Sequence, residues 1–318
     1  ALDQINILRK NFPETLLFTQ SEILLAKVLE QSGEIEDALS VLAETEKRIS
    51  SFPKSLHLRS YLPEIIYLQG QLYQKFGGIN EAYNRYRLLH IDFPSSPLTR
   101  QAKEHMNELS KVDGIIIMPL TIDEHTRRIR KLLSDVKYQQ TITEGTDLLA
   151  IKSPLPGKFY FYLAQAQKGL RKRNLANAAL RKFINHYPGH SRVQEALFNI
   201  GRNFWNTGYY RDGLKYFETS IGENPHSNLA NQARFFIGKM HEEKKRYSQA
   251  TSYYEDLTNN FRSSEYAERA AWQLGWLNYT KGNFQKSLDY FDESSKKYPS
   301  GLFIESSMFW AAKSLEKL

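Results

Sequence analysis

Groups of residues that could catalyse a reaction are scarce in this sequence. His186 and His190 are four residues apart, a spacing that can bring two imidazoles to one helix face around a metal ion. Pro188 lies between them, and because proline interrupts a helix, no single face presents both rings. The eight histidines form no His-Glu-x-x-His pattern, and neither a Gly-x-Ser-x-Gly elbow nor a phosphate-binding loop occurs. We therefore predict no catalytic residue, no metal site and no cofactor in these residues.

The net charge of +8 is the strongest feature of the composition of these 318 residues. It would attract an acidic partner, for which nucleic acid, anionic lipid and acidic cell-wall polymer are candidates. The favoured interpretation is solvated lysines on the outer faces of helices, since no block of six like charges and no nucleic-acid motif is present. No apolar segment approaches the ~20 residues of a membrane-spanning helix. We expect neither a nucleic-acid partner nor a transmembrane segment.

Residues of similar type recur every thirty-seven positions in the second half of the chain. Small residues that would let a first helix approach its neighbour closely form one column, and rings that fill the space between helices form another. The glycine column is Gly201, Gly238 and Gly275, and the aromatic column is Phe217, Tyr254 and Phe291. Such a period predicts a row of similar helical hairpins.

Other columns mark where each helix should end. Gly208 and Gly282 lie where the two helices of a hairpin join, because glycine adopts the left-handed conformation that ends a helix. Pro225 and Pro299 should stop the second helices, since proline cannot donate the next backbone hydrogen bond. Small residues are also predicted where second helices pack, namely at Ala176, Gly213, Ala250 and Ser287.

The first half of the chain shows the same order of small, aromatic and proline residues, at less regular intervals. Residues at the same internal spacings are Ala26, Gly33, Ala38 and Leu42, then Gly70, Gly77, Ala82, Tyr86 and Pro94. The pattern breaks at "VDGIIIMPLTID", where we expect a helix to end near Gly114 and another to be capped at Thr121 or Asp123. The predicted organisation is 1–112, helical repeats; 113–157, an irregular link and helix pair; and 158–318, regular repeats that end within a unit. A longer protein is expected on that basis.

The order of small, turn, small, aromatic and proline residues resembles the tetratricopeptide repeat. The distances from Gly275 to Ser287, Phe291 and Pro299 match that motif, whereas the period exceeds the family's usual thirty-four residues. The resemblance implies an all-α fold, an α-solenoid of antiparallel helix hairpins that forms a right-handed superhelix.

In that family the first helices line a concave, partner-binding face, which implies a site in this chain. The residues predicted to lie on this face are Arg202, Lys239 and Trp276, which share one repeat position, and Trp205 and Tyr279, which follow three residues later. Basic and aromatic side chains together suit an acidic peptide, or a glycan whose sugar faces stack on rings. In the alternative interpretation, Trp205 and Tyr279 pack against adjacent repeats and the two cations are simply solvated.

Residues 270–318 and 115–149 also resemble the amino-terminal region of bacterial soluble lytic transglycosylases, where a helical superhelix precedes a lysozyme-like domain that cleaves peptidoglycan. This implies a periplasmic location. The string Glu305-Ser306-Ser307-Met308-Phe309 is similar to that family's catalytic motif, yet Glu305 occupies the repeat column of Glu268, Asn231 and Gln194. We therefore predict that Glu305 is not catalytic.

The resulting functional prediction is a non-catalytic helical-repeat scaffold that shapes substrate access or docks envelope partners. Its expected partners are proteins or peptides, with peptidoglycan as a further candidate. A free-standing adaptor for envelope assembly or cell division is the first alternative. An enzyme complete within this chain is the second and least favoured.

Overall fold

The computed structural model describes residues 2–12, 15–52, 57–112, 115, 117–151 and 154–318. These residues form seventeen α-helices and one short 3-10 helix, without a strand, which confirms the predicted all-α fold. Residue contacts group the chain into two compact units, Ala1–Ile151 and Lys152–Leu318. The three-part organisation read from the sequence stays a prediction.

The first unit contains eight α-helices, with the 3-10 helix His57–Tyr61 before the fourth. They are α1 (Leu2–Asn11), α2 (Leu16–Ser32), α3 (Ile35–Ser51), α4 (Leu62–Lys75), α5 (Ile79–Asp92), α6 (Leu98–Leu109), α7 (Ile122–Ser134) and α8 (Tyr138–Ile151). Thr121 caps α7, as predicted: its side chain accepts from the Glu124 backbone amide, and the Glu124 carboxylate accepts from the Thr121 amide. The helix end expected near Gly114 lies outside the described residues.

The second unit contains nine helices, of which the odd-numbered are first helices and the even-numbered second helices of successive hairpins. They are α9 (Gly157–Gly169), α10 (Arg173–His186), α11 (Val193–Trp205), α12 (Tyr210–Glu223), α13 (Asn228–Glu243), α14 (Tyr247–Asn260), α15 (Glu265–Thr280), α16 (Phe284–Lys297) and α17 (Ile304–Glu316). Each helix packs against its chain neighbours, and the first helices α11, α13, α15 and α17 also touch one another in sequence. This is the arrangement of an α-solenoid.

In four hairpins a glycine of the first helix lies directly against a ring of the second. A Cβ atom placed on these glycines would come within 2.4–2.9 Å of a ring carbon, so no larger residue fits without a shift of the ring. The pairs are Gly70 with Tyr86, Gly201 with Phe217, Gly238 with Tyr254, and Gly275 with Phe291. The predicted role of the small column, close approach of two helices, is confirmed.

Two other hairpins place a different pair at the same positions. Ala26 and Leu42 occupy them in the first unit, and Ala164 and Leu180 in the second; all four are buried. An extra methyl group on the first helix is thus matched by a smaller side chain on the second. Such exchanges conserve the volume of the core, which is what close packing tolerates best.

Three residues of a second aromatic column have the same setting in the second unit. The rings of Phe198, Phe235 and Trp272 lie 5.4, 5.7 and 6.3 Å from the ring of their own second helix. The helix ends also follow prediction, because α12 ends at Glu223 and α16 at Lys297, just ahead of the two prolines.

Seven residues that join the two helices of a hairpin have positive φ. Four are glycines, including the predicted Gly208 and Gly282, with φ of 76–85°. The other three are Val136, Arg171 and Lys245, with φ of 61°, 60° and 57°. Arg171 and Lys245 lie one period before and after Gly208, so the turn keeps its left-handed backbone even where glycine is replaced.

Candidate partner-binding surface

The five residues predicted to bind a partner lie on three consecutive first helices of the second unit. Arg202 and Trp205 are on α11, Lys239 is on α13, and Trp276 and Tyr279 are on α15. All five are partly buried. We call these residues and their neighbours on the first helices the first-helix surface. Their role in binding stays a prediction, but their contacts divide the surface into three parts.

The first part is basic. The Arg202 guanidinium lies 5.9 and 5.8 Å from the ring centroids of Phe198 and Phe236, where an ammonium or guanidinium is favourably placed. Burial lowers the pKa of Lys168, and the positive charges of Arg202 and Arg173 lower it further. Among the described residues, no carboxylate forms an ion pair with Lys168 or Arg202. Positive charge is therefore uncompensated at this end.

A cleft of about 280 Å³ adjoins the basic part, between α9, α10 and α11. Its polar lining comes from Gln165, Lys168 and Asn199, together with Asn203, whose amide donates to Asn177 at 2.7 Å. Amide and ammonium donors around a cleft suit a carboxylate. Lys168 was missed in the sequence analysis although it shares the column of Trp205 and Tyr279.

Arg192 closes the side of this cleft. Its guanidinium lies 3.6 Å from the centroid of the Phe161 ring, and it donates two hydrogen bonds to Glu195, at 2.7 and 3.0 Å. The bidentate pair raises the pKa of Arg192 and fixes the guanidinium against the ring. Arg192 therefore shapes the cleft without adding free charge.

The middle part of the surface is neutral. Lys239 pairs with Glu242 at 3.3 Å, and Glu242 also accepts from the hydroxyl of Tyr254 at 3.0 Å and from the amide of Gln273 at 2.9 Å. Burial, and then the charge of Glu242, raise the pKa of Tyr254, so this hydroxyl remains a donor. A lysine compensated in this way is a weak anchor for an acidic partner.

Trp205 is engaged with the next repeat. Its indole N–H donates to Glu243 at 2.9 Å, and its ring lies 5.2 Å from that of Phe236 on α13. These contacts are those of the alternative interpretation, in which the aromatic residues pack against adjacent repeats. Both roles are compatible, because the ring is only partly buried.

The third part is an aromatic row on α15. The rings of Trp272, Trp276 and Tyr279 are nearly parallel, with centroids 5.8 and 6.0 Å apart and interplanar angles of 10° and 11°. Trp310 of α17 meets Trp276 and Tyr279 edge-on at 4.8 and 4.9 Å. The indole nitrogen of Trp272 is buried without a protein acceptor. Tyr279 thus packs against the next repeat and, at the same time, extends a stack of partly exposed rings.

The two histidines considered as metal ligands and Glu305 lie at or beyond the ends of helices. His186 is the last residue of α10, and Nδ1 of His190 accepts from the Arg192 backbone amide at 3.1 Å. Glu305 is exposed in the first turn of α17. Across the described part of the chain, no three His, Cys, Asp or Glu side chains converge as a metal site would require. Nor does that part contain a helix with the length and apolarity needed to cross a membrane.

Comparison with known proteins agrees with this geometry. Residues 159–190 and 198–264 each match a tetratricopeptide repeat family. No curated protein matches the chain. A similar solved structure is the C-terminal part of a tetratricopeptide repeat-containing protein from Cytophaga hutchinsonii, at 12% identity and a TM-score of 0.50, covering 93% of this chain and 99% of that one.

Two further structures are less similar overall. MamA matches with 16% identity and a TM-score of 0.44 over 58% of this chain and 97% of its own. The pilF protein of Pseudomonas aeruginosa matches with 16% identity and a TM-score of 0.42 over 72% and 97%. Residues 159–190 and 198–264 therefore carry tetratricopeptide repeats, and the chain has the all-α solenoid fold of proteins built from them.

Proposed function

We propose that this repeat scaffold binds an extended segment of a partner protein along the first-helix surface of its second unit. The observation that carries the proposal is the separation of two chemistries: uncompensated positive charge at Lys168 and Arg202, and stacked rings at Trp272, Trp276 and Tyr279. The neutral cluster around Glu242 lies between them. A partner that satisfies both ends must be extended and must differ along its length.

The chemistry of each part defines the preferred segment. Carboxylates at one end would accept from Lys168, Arg202 and the amides of the adjoining cleft. Proline, aromatic or other apolar side chains at the other end would lie on the ring faces of the aromatic row. Packed helices are about 10 Å apart, so the three steps between first helices from α9 to α15 span roughly 30 Å, or about nine residues of extended chain.

Defined peptides test this proposal directly. Labelled ten-residue peptides with glutamates at one end and a Trp-Pro pair at the other are titrated against the protein by fluorescence anisotropy. Lys168→Glu with Arg202→Glu should weaken binding at least about tenfold, since charge pairs in a partly desolvated site are lost and reversed. The control Lys239→Gln should change affinity much less, because Glu242 already compensates that lysine in the native protein.

Two results would overturn the proposal. One is equal affinity of the double variant and the native protein while far-UV circular dichroism shows the same helix content. The other is indifference to replacement of the peptide glutamates by glutamine. Trp276→Ala provides the second arm: it should weaken peptides that carry the Trp-Pro pair and spare those that lack it.

A second candidate function is the narrower one predicted from sequence: the helical region of a periplasmic lytic transglycosylase. What supports it is the resemblance of residues 115–149 and 270–318 to such enzymes, and an aromatic row on which sugar faces could stack. The matched repeat families and the similar structures add no support for it. The competing adaptor function needs no associated enzyme.

Two measurements separate the candidates. If this chain is the helical region of a lytic transglycosylase, the reading frame after Leu318 should encode a lysozyme-like domain. A stop codon directly after Leu318 would favour the adaptor. Co-sedimentation with purified peptidoglycan should be strong and reduced by Trp276→Ala for the enzyme-linked scaffold. Binding to peptides but not to peptidoglycan, with the protein absent from a periplasmic fraction, would exclude that candidate.

A further inference from the structure

A second charged surface lies on the turns that join first to second helices in the second unit. Exposed basic side chains occupy three of these turns: Arg171 and Lys172; Lys244, Lys245 and Arg246; and Lys281. We call these six residues the turn edge. None of them forms an ion pair with a described carboxylate, whereas elsewhere in the unit five such pairs are formed. The charge of the turn edge is therefore free to act on a partner.

Contacts between successive turns show that the last two lie together. The Lys244 ammonium is 3.7 Å from the centroid of the Tyr210 ring, and the Lys281 ammonium is 5.1 Å from that of Tyr247. The two contacts are related by one period of thirty-seven residues, and in each the lysine of one turn lies over the tyrosine that begins the second helix of the preceding repeat. Cation–ring contacts of this kind hold each ammonium at the solenoid's edge.

The turn that contains Lys244 and Arg246 also borders a cleft of about 370 Å³, whose other side is the first turn of α12. Arg211, Lys244 and Arg246 contribute its cationic groups, beside His241. Burial lowers the pKa of His241, and the charge of Arg246 lowers it further, whereas Glu218 opposes the shift. Burial is the main cause of this shift, and the cationic groups that line the cleft are Arg211, Lys244 and Arg246.

The backbone provides an independent observation. Arg171 and Lys245 have φ of 60° and 57°, in a column where Gly208 and Gly282 adopt the same conformation without strain. Basic residues thus occupy two positions where glycine would be less strained. Backbone strain of this kind concentrates at functional positions.

Apolar side chains accompany the charges. Tyr209, in the turn between α11 and α12, is 57% exposed. Leu175, in the first turn of α10, is 51% exposed. We propose that the turn edge docks the protein on a surface of anionic phospholipid headgroups. Clusters of four to eight lysines and arginines bind such surfaces, and exposed tyrosine and leucine suit the headgroup boundary.

A lipid surface is favoured over single-stranded nucleic acid. Nucleic acid without sequence preference is held by several aromatic side chains on which successive bases stack. The turn edge offers one well-exposed ring, Tyr209, amid charges spread over three turns. A continuous sheet of phosphates can meet all three turns at once.

Vesicle flotation tests the proposal. The protein is mixed with vesicles of phosphatidylcholine alone or with about one third phosphatidylglycerol, in about 0.1 M salt and again in about 1 M salt. Binding should require the anionic lipid and be lost at high salt. Lys172→Glu with Lys245→Glu should lower the bound fraction more than about tenfold. Lys182→Glu with Lys215→Glu, which changes the same net charge on exposed faces of α10 and α12, should retain most binding.

Three outcomes would overturn the proposal, provided that circular dichroism shows folded variants. The first is no flotation with anionic vesicles. The second is an equal loss in both double variants, which indicates attraction by net charge alone. The third is tight binding of a single-stranded oligonucleotide that vesicles fail to displace. Peptide anisotropy at the first-helix surface, measured on the same variants, keeps this test separate from the proposed function.

Discussion

The α7–α8 hairpin of the first unit and the regular hairpins of the second unit are held in place by different interactions. In the first unit, α7 and α8 are joined to each other and to α5 by ion pairs: Arg87 with Glu124 at 2.7 Å, Arg127 with Asp92 at 3.1 Å, and Arg128 with Glu144 at 2.8 Å. In the second unit, rings packed on glycine and on one another fill the equivalent spaces. The same antiparallel hairpin is thus built with two chemistries, one sensitive to pH and one indifferent to it.

The polar contacts of the first unit form a network. Glu144 pairs with both Arg128 and His125, and Arg128 also donates to the backbone carbonyl of His90. Burial alone would raise the pKa of Glu144, but its hydrogen bonds to Arg128 and His125 hold it below its ordinary value. A group in such a network is hard to replace, because each partner left behind is buried and unpaired.

The largest effect is therefore expected at Glu144. Glu144→Ala should lower the free energy of unfolding of the first unit by about 3 kcal/mol, since it leaves the Arg128 guanidinium and the His125 ring partly buried without their carboxylate partner. The matched control is Glu293→Ala, which removes one exposed partner of a helical i,i+4 pair and should cost less than about 0.5 kcal/mol. Urea unfolding followed by far-UV circular dichroism gives the size, and amide exchange in α7 and α8 its location. Equal losses in both variants would remove the contrast between the units.

Acid should weaken the first unit through His90. In the unfolded chain its pKa is near 6.5, whereas burial, and then the charge of Arg128, lower it to about 4 in the folded chain. The unfolded chain therefore binds the proton first, and stability present above pH 6.5 is lost as the pH falls toward 4. Between pH 7 and pH 5 this residue should account for about 2 kcal/mol.

The variant His90→Gln isolates that contribution. Its unfolding midpoint in urea should change less between pH 7 and pH 5 than that of the native protein. All four tryptophans lie in the second unit, so tryptophan fluorescence follows that unit alone. A transition that shifts with pH in fluorescence as much as in amide exchange of α5 would contradict the assignment to His90.

In the second unit, one added methyl group between a glycine and its ring should lower the free energy of unfolding. Gly275→Ala places a Cβ 2.6 Å from a ring carbon of Phe291, and the overpacking should outweigh the better helix propensity for a net loss of about 1–2 kcal/mol. Gly222→Ala, where no atom lies within 4 Å, should instead stabilise by up to about 1 kcal/mol. Both are read from tryptophan fluorescence in urea.

The double variant Gly275→Ala with Phe291→Leu sharpens this test. It recreates the alanine–leucine pair of α9 and α10, so its loss should be smaller than the sum of the two single losses by about 1 kcal/mol. If the losses in unfolding free energy simply add, the smaller side chain at 291 does not make room for the methyl group at 275.

The smallest effect concerns the turns, which occur in both units. Lys245→Gly should stabilise by about 0.5–1 kcal/mol, because a left-handed backbone strains any residue with a Cβ. Lys244→Gly is the control: with φ of −89° that residue is unstrained, so glycine there should destabilise. Val136→Gly extends the test to the first unit, where a β-branched residue has φ of 61°. Thermal melts of the three variants suffice.

Much of the fold could be predicted from the sequence because its columns report local sterics. Glycine at 201, 238 and 275 makes room for a ring, and glycine at 208 and 282 is favoured by a positive φ. The positive φ of Arg171 and Lys245 was not foreseen from their side chains, since a basic residue carries no sign of it. Their place one period from glycine was the available signal.

The site was less predictable than the fold. The column that contains Arg202 and Lys239 identifies side chains on equivalent faces, but not which charges are already paired. Lys239 is compensated because Glu242 is fixed by Tyr254 and Gln273 from two other helices. That arrangement depends on side chains brought together from three helices, which the period does not specify.

The contact between ring and glycine is internal to one hairpin, with its two members sixteen residues apart. Duplication or loss of a whole hairpin in the second unit would therefore leave every remaining contact of this kind intact, and the chain could change length in steps of one period. The ion pairs Arg87–Glu124 and Arg127–Asp92 join α5 and α7 of different hairpins, so loss of either hairpin would leave charged groups of the first unit without partners. Insertions and deletions among natural variants should accordingly concentrate in the second unit.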